Sequence, residues 1–321
     1  MVLIEINHLV KKYGEHVAVD DLTLTVEPGK IYGFLGPNGA GKSTTMNMIT
    51  GYLGATSGEV KINGHDIFVD PQEAKKCVGY LPEIPPLYTE MTVREYLDFV
   101  AELKGLDKKV RKTQTEEIME LTHTKEVSER LIRNLSKGYR QRVGFAQAIM
   151  GYPDVIILDE PTVGLDPKQI IEIRELIRKL AKKHTVILSS HILAEVREVC
   201  DYIMIISGGK LVASDTTENL ENMMSGKGQI EVEAKASRDE MDHIIRRTGK
   251  IKEVKYRTSA SGITTAQITA KGGEDIREEL FLAFSHADVP MLTLNQSKTT
   301  LEEIFLELTQ GSGNRMIKEE K

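Results

Sequence analysis

The sequence predicts an α/β fold built on a mainly parallel sheet that helices cover on both faces. One sign is a glycine-rich loop, Gly36–Thr44, which follows the apolar run Lys30–Leu35 and precedes a helical pattern. Another is the alternation of short apolar runs with helical patterns over residues 155–206. Within it, Val155–Leu158 is apolar at every position, which is typical of a strand buried on both faces.

Composition limits the classes of protein that the chain can belong to. Its 321 residues, 40% hydrophobic and 28% charged, are enough for two globular domains. The formal net charge of −6 shows no basic nucleic-acid footprint, so we expect no nucleic-acid partner. Two isolated cysteines, Cys77 and Cys200, suggest a reduced, cytosolic chain. No apolar run reaches the length of a membrane span or forms a signal peptide, so any membrane role would come through a partner.

Two further regions of the first 222 residues have their own patterns. Val2–Ile6 and Leu22–Val26 alternate apolar and polar side chains between turn signals, which predicts a small antiparallel β subdomain. Residues 87–150 show helical periodicity between two strand patterns, which predicts an inserted helical subdomain.

The composition loosens at residues 224–228, where we predict a linker after a first domain of residues 1–222. Residues 228–310 then give the order βαββαβα, which predicts a small α+β domain of ferredoxin-like plan. This second domain shows no catalytic residue pattern, so an accessory or regulatory function is expected for it. The charged residues 311–321 are predicted to be a disordered tail.

The glycine-rich loop has the context of a phosphate-binding loop, because a strand precedes it and a helix follows. An ordinary glycine-rich turn is the weaker alternative. Glycines let successive backbone N–H groups point at phosphates, and the helix N-terminus adds partial positive charge. Lys42 would reach the β- and γ-phosphates, and the Ser43 hydroxyl would bind Mg²⁺. The predicted nucleotide contacts in this loop are Gly36, Asn38, Gly39, Ala40, Gly41, Lys42, Ser43 and Thr44.

Asp159 and Glu160 directly follow the strand Val155–Leu158, at the edge of the sheet where ligands of α/β folds bind. Alone, such a pair is usually a solvated strand end. Beside a phosphate loop, Asp159 is placed to hold Mg²⁺ and Glu160 to act as general base on the attacking water. The pair therefore predicts hydrolysis of a nucleoside triphosphate.

Other short motifs complete an ordered series along the chain. Tyr13 is either a half-buried strand-end aromatic or a platform for an adenine ring. Ser136, in the run Leu135–Gln141, could serve as a helix N-cap. With the phosphate loop and the acidic pair, the series comprises Tyr13, Gly79–Glu83, Leu135–Gln141, Gly164–Asp166 and His191.

This order of motifs over residues 1–222 resembles the ATP-binding cassette (ABC) ATPases, a type of P-loop NTPase. The resemblance implies that ATP is bound with Mg²⁺ between two copies. Ser136 and Gly138 would face the γ-phosphate held by the second copy, and Asp166 would belong to the loop that communicates across the dimer. It further implies that His191 contacts the γ-phosphate and contributes to catalysis with Glu160 and Lys42.

The sequence departs from the family pattern at two places. Glu83 stands where the family usually has Gln, and a carboxylate can still bind Mg²⁺ but cannot donate a hydrogen bond. The metal ligands predicted are therefore Ser43, Glu83 and Asp159. Lys137 and Tyr139 replace the commoner Gly and Gln, and function should persist because Ser136 and backbone groups make the phosphate contact.

The predicted function is the ATPase motor subunit of an ABC exporter with a C-terminal extension. Two copies would form a head-to-tail dimer and drive separate transmembrane permease subunits from the inner face of the cell membrane. A groove between the helical subdomain and the Glu83 loop would receive the permease's cytoplasmic helix. The alternative is a soluble ABC ATPase acting on ribosomes or DNA, but no second cassette or sustained heptads appear. A P-loop kinase would need an acceptor site in place of these motifs.

Overall fold

The computed structural model describes most of the chain, namely residues 2–220, 229–259, 262–297, 305–306 and 309. The predicted linker at 224–228 and the predicted tail at 311–321 lie outside the described residues. The chain forms two compact units, of which the larger contains residues 1–216 and the smaller residues 217–307.

The larger unit contains two sheets and a set of helices. Its strands are β1 (Ile4–Tyr13), β2 (His16–Val26), β3 (Ile31–Leu35), β4 (Ser57–Ile62), β5 (His65–Asp66), β6 (Val78–Leu81), β7 (Val155–Leu158), β8 (Thr185–Ser190), β9 (Tyr202–Ser207) and β10 (Lys210–Thr216). Its α-helices are α1 (Lys42–Ile49), α2 (Pro71–Lys76), α3 (Val93–Leu103), α4 (Lys108–Leu121), α5 (Lys137–Ile149), α6 (Pro167–Ala181) and α7 (Leu193–Val199).

The central sheet has the strand order β10-β9-β3-β8-β7-β6. Its neighbours pair in parallel except for the edge strand β10, which runs antiparallel to β9. Leu35 pairs with Ser190 and Leu158 with Leu188, so β3, β8 and β7 end beside one another. The predicted mixed, mainly parallel sheet is confirmed, and its carboxyl edge brings three chain segments together.

The antiparallel sheet has the order β2-β1-β4-β5, which confirms the predicted subdomain near the N-terminus. Its apolar face shares one core with the central sheet and α1, since Ile4, Phe34, Met46 and Ile157 are buried in the same cluster. This shared core holds the start of α1 in a fixed place relative to both sheets.

The helical block α3–α5 lies between β6 and β7 in the chain. Helix α3 begins with a capping box in which Thr92 and Glu95 satisfy each other's backbone N–H groups. Helix α5 comes very close to β6, because a Cβ on Gly79 would lie 2.0 Å from the carbonyl oxygen of Ala148. Glycine at position 79 is therefore required for this packing.

The edge strand β10 is absent from the sequence-based prediction, which stops at the turn after β9. Gly208 and Gly209 have φ of 56° and 78° and turn the chain back on itself. Because β10 is only partly buried, its apolar pattern is weaker than those of the central strands. Among the described residues, none of the helices combines the length and the apolar character needed to cross a lipid bilayer.

The smaller unit contains β11 (Gln229–Ala234), α8 (Arg238–Arg246), β12 (Ile251–Thr258), β13 (Thr264–Ala270), α9 (Arg277–His286) and β14 (Met291–Ser297). Its strands form one antiparallel sheet in the order β12-β13-β11-β14. Ile230 and Ile268 of the sheet share a buried core with Ile244 of α8 and Phe284 of α9. The ferredoxin-like assignment and the bounds 228–310 stay predictions.

Replacing Phe284 by Ala should lower the free energy of unfolding of the smaller unit by about 3–5 kcal/mol, because the ring is fully buried. Phe281 lies on the same helix but is 55% exposed, so Phe281→Ala is the matched control, with an expected change within about 0.5 kcal/mol. Urea unfolding followed by circular dichroism measures both. Equal losses for the two variants would contradict the described core.

Candidate functional site

The glycine-rich loop connects β3 to α1 in a conformation that two glycines permit. Gly41 forms the N-cap of α1 with φ of 103°, and a Cβ there would lie 2.5 Å from the carbonyl oxygen of Ala18. A Cβ on Gly36 would lie 2.5 Å from the carbonyl oxygen of Ile206. The loop is thus confined between β2 and the end of β9, where larger residues do not fit.

Lys42 is the buried cation of this loop, with only 6% of the residue exposed. Its Nζ donates hydrogen bonds to the carbonyl oxygens of Gly36 at 2.8 Å and Pro37 at 3.3 Å. Glu160 Oε1 lies 3.9 Å from the same nitrogen. Burial lowers the pKa of Lys42, and the nearby carboxylates of Glu160 and Asp159 oppose that shift. The ammonium is therefore held inside the loop, where it can bind an anion.

Ser43 and Asp159 meet next to Lys42. Ser43 Oγ donates to Asp159 Oδ1 at 3.3 Å, and Ser189 Oγ donates to the same oxygen at 2.5 Å. A hydroxyl and a carboxylate are hard oxygen ligands of the kind Mg²⁺ prefers, so this pair fits Mg²⁺. Within the described part of the chain, no group of three or more His, Cys, Asp or Glu could hold a metal by itself. Phosphate oxygens and water would have to complete the coordination of Mg²⁺ here.

Glu160 has an unusual backbone, with φ of 48° in the left-handed region. Its N–H donates to Ser189 Oγ at 2.9 Å. Its Oε2 lies 2.9 Å from His191 Nδ1, and its Oε1 is the oxygen that faces Lys42. Both carboxylate oxygens are therefore oriented by nitrogen groups, as a positioned general base requires.

These residues surround one cavity of about 520 Å³, which is lined by Tyr13, His16, Ala18, residues 38–44, Glu83, Glu160, Val163 and His191. Tyr13 is 51% exposed, so its ring is accessible for stacking. Gly36 accepts a hydrogen bond from Lys42, and Asp159 accepts one from Ser43; Lys42 and Ser43 line the cavity. The structure thus brings together most of the residues that the sequence nominates.

Ser136, Gly138 and Asp166 lie elsewhere, around a second cavity of about 520 Å³. Among the described residues, the two cavities share no lining residue. Ser136 caps α5 by accepting from Tyr139 N at 3.3 Å, and Asp166 caps α6 by accepting from Gln169 N at 3.0 Å. These two helix N-termini face one cavity, and in a single chain the structure does not join them to the phosphate loop.

Sequence reasoning missed Ser189 and Glu195. Glu195 is a buried carboxylate whose Oε2 accepts hydrogen bonds from Thr162 Oγ1 at 2.6 Å and Ser190 Oγ at 3.1 Å. It ties the loop after β7 to the end of β8. The only signal in the sequence was a pair of hydroxyl residues, Ser189 and Ser190, just before His191, and the Asp159 partner of Ser189 lies 30 positions earlier.

Comparisons with known proteins decide the family. The family model "ABC transporter" matches residues 19–163. The bacitracin transport ATP-binding protein BcrA of Bacillus licheniformis is 40% identical over 221 residues, which cover 68% of this chain and 71% of that protein. The chain belongs to the ABC transporter ATP-binding proteins. Members of this ABC ATPase family bind and hydrolyse ATP.

Two relatives match this ABC protein over nearly its whole length. The linearmycin resistance ATP-binding protein LnrL of Bacillus subtilis (strain 168) is 30% identical over 308 residues, 96% of this chain and 98% of that one. The Nod factor export ATP-binding protein I of Cupriavidus pinatubonensis (strain JMP 134 / LMG 1197) is 31% identical over 309 residues, 96% and 90% of the two chains.

Solved structures confirm the predicted ABC ATPase fold. An ATP-binding subunit of an ABC transporter aligns with a TM-score of 0.64 at 30% identity, over 69% of this ABC chain and 93% of that chain. A cassette solved as a dimer in a post-hydrolysis state with ADP and Pi aligns with a TM-score of 0.61 at 25% identity, over 67% and 98%. The roles of single residues in this site stay predictions.

Gly41→Ala should weaken ATP binding by the ABC protein at least about tenfold more than Gly39→Ala, a difference of about 1.4 kcal/mol. Both glycines have positive φ, but an added Cβ collides with the Ala18 carbonyl at Gly41, whereas at Gly39 it meets no atom of the described residues within 4 Å. Titration with a fluorescent ATP analogue measures both affinities. Equal affinities would contradict the described loop geometry.

Proposed function

We propose that the chain is the ATP-hydrolysing motor subunit of an ABC exporter. Two copies dimerise head-to-tail on ATP and drive separate transmembrane permease subunits, so the protein works at the cytoplasmic face of the cell membrane. The names of relatives support export, since they include a bacitracin transport, a linearmycin resistance and a Nod factor export ATP-binding protein. In addition to the catalytic domain of residues 1–222, residues 228–310 form an accessory domain of ferredoxin-like plan.

The first cavity is the nucleotide site. Tyr13 stacks on the adenine, and the N–H groups of the loop and the start of α1 bind the phosphates. Lys42 Nζ gives up its hydrogen bonds to the carbonyl oxygens of Gly36 and Pro37 and binds the β- and γ-phosphates instead. Ser43, Asp159 and the exposed Glu83 would hold Mg²⁺, which when bound neutralises charge on the phosphates.

Glu160 is the general base that takes a proton from the attacking water. Its carboxylate is already fixed by His191 Nδ1 at 2.9 Å and lies 3.9 Å from Lys42 Nζ. His191 is accessible enough to contact the γ-phosphate as well, since 43% of its side chain is exposed. Catalysis then consists of positioning and charge stabilisation, as phosphoryl transfer requires.

The observation that carries this proposal is the division of the site residues between two cavities. The phosphate loop, Glu160 and His191 line one cavity, whereas Ser136, Gly138 and Asp166 line the other. A head-to-tail pairing of two copies places the second group over the triphosphate held by the first. Helix α5 has 13 residues, and the partial positive charge at its N-terminus then faces the γ-phosphate.

A larger cavity of about 840 Å³ is the proposed docking groove for a cytoplasmic helix of the permease. Its walls include the exposed side chains of Tyr52, Ile84 and Tyr88, which offer the apolar surface that an amphipathic helix would bury. Ser43 and Glu83 line both this groove and the nucleotide cavity. The permease would therefore act on residues that also face the nucleotide.

Glu160→Gln should leave ATP binding intact and reduce turnover by about 10²–10⁴-fold, because the amide keeps the shape but cannot accept the proton of water. The variant should accumulate as an ATP-bound dimer. Steady-state phosphate release measures turnover, and size-exclusion chromatography with and without ATP measures the dimer.

Lys42→Ala serves as the control, since it should abolish ATP binding and therefore give neither turnover nor dimer. A Glu160→Gln protein that hydrolyses ATP at the unsubstituted rate would refute the general-base assignment. Dimer formation by Lys42→Ala in ATP would refute the assignment of the nucleotide site.

A further inference from the structure

Ser189 is a fully buried hydroxyl beside the acidic pair. Its Oγ donates to Asp159 Oδ1 at 2.5 Å and accepts from the N–H of Glu160 at 2.9 Å. One hydroxyl therefore holds both residues that follow β7, the first through its carboxylate and the second through its backbone.

The neighbouring Ser190 shows that this contact is not shared by every hydroxyl at the end of β8. Ser190 is equally buried, but its Oγ donates to Glu195 and accepts from the N–H of Ile192. Successive side chains of a strand point to opposite faces, so only Ser189 can face the acidic pair. The contact depends on this one position.

The bond to Asp159 is short, as expected for a hydroxyl that donates to a carboxylate. Ser43 Oγ approaches the same oxygen only to 3.3 Å, and a metal would engage that hydroxyl. Ser189 then remains as the donor that fixes the carboxylate orientation.

The bond to Glu160 acts on the backbone. A φ of 48° is unfavourable for a residue with a side chain, so surrounding contacts must hold it. Ser189 accepts the N–H of this left-handed residue, and the turn directs the Glu160 carboxylate to His191. Without the hydroxyl, a buried N–H loses its partner and the turn loses a restraint.

We infer that Ser189 is a positioning residue for ATP hydrolysis, which orients the metal-binding carboxylate of Asp159 and the base Glu160 at once. This inference rests on the proposed function. Ser189 is not among the described residues that line the nucleotide cavity, and it acts through those two residues.

The test compares Ser189→Thr with Ser189→Val. The two side chains have nearly the same shape, so any strain from the added methyl group is common to both, and only Thr keeps the hydroxyl. Mn²⁺, which takes the same oxygen ligands as Mg²⁺, is titrated in the presence of a non-hydrolysable ATP analogue and its free concentration is read by electron paramagnetic resonance. The kcat and KM for ATP, and the midpoint of thermal unfolding, are measured alongside.

Ser189→Val should bind Mn²⁺ about 10–100-fold more weakly than Ser189→Thr and lose kcat in the same range, as expected when a residue behind a metal ligand is removed. Metal-free nucleotide binding should be the same in both variants, because the phosphate loop is untouched. Ser189→Thr should stay close to the unsubstituted protein in metal affinity and kcat.

Equal metal affinity and equal kcat in the two variants would overturn the inference, whatever their thermal stability, because the hydroxyl would then have only a structural role. An unsubstituted protein that neither binds nor hydrolyses ATP would overturn the proposed function itself. The two failures are thus distinguishable.

Discussion

The parallel pairing of β3, β8 and β7 is the constraint on which the site depends. It places the phosphate loop, the acidic pair and the segment Ser189–His191 along one edge of the sheet. The register matters as much as the order. A slip of one residue in β8 would turn Ser190 toward Asp159 and direct the His191 side chain away from Glu160. Every residue of β7 and β8 is buried, so such a slip would cost packing free energy. The packing of the core therefore keeps the site residues in place.

Charge balance supports the proposal that a second copy completes the site. Asp159 and Glu160 lie beside the buried ammonium of Lys42, and Glu83 lines the same cavity. A triphosphate adds further negative charge, so Mg²⁺ and additional positive groups are needed. In the proposed dimer, the helix N-terminus capped by Ser136 supplies part of that charge. The same deficit would make closure of the dimer sensitive to the presence of the γ-phosphate.

Much of the fold and many of the residues around the first cavity could be predicted from sequence, because patterns of neighbouring residues indicate both. The loop at Gly36–Thr44 and the acidic pair after Val155–Leu158 are contiguous and flanked by strong periodicity. Ser189 and Glu195 could not be found this way, since Asp159 lies 30 residues from Ser189 and Thr162 lies 33 residues from Glu195, so the tertiary fold decides both contacts. The edge strand β10 was missed for a related reason, since a partly exposed strand carries a weak apolar signal.

The most direct test of the account mixes two inactive variants, Lys42→Ala and Ser136→Asp. Asp still caps α5, but its carboxylate repels the γ-phosphate. If Lys42 of one copy works with Ser136 of the other, a mixed dimer has one intact site and one doubly defective site. The account predicts that an equimolar mixture recovers about a quarter of the unsubstituted ATPase activity if copies pair at random, since half the dimers are then mixed and each has one of two sites. It predicts more than about a quarter if the variants do not pair with themselves. Activity no higher than that of the separate variants would contradict it.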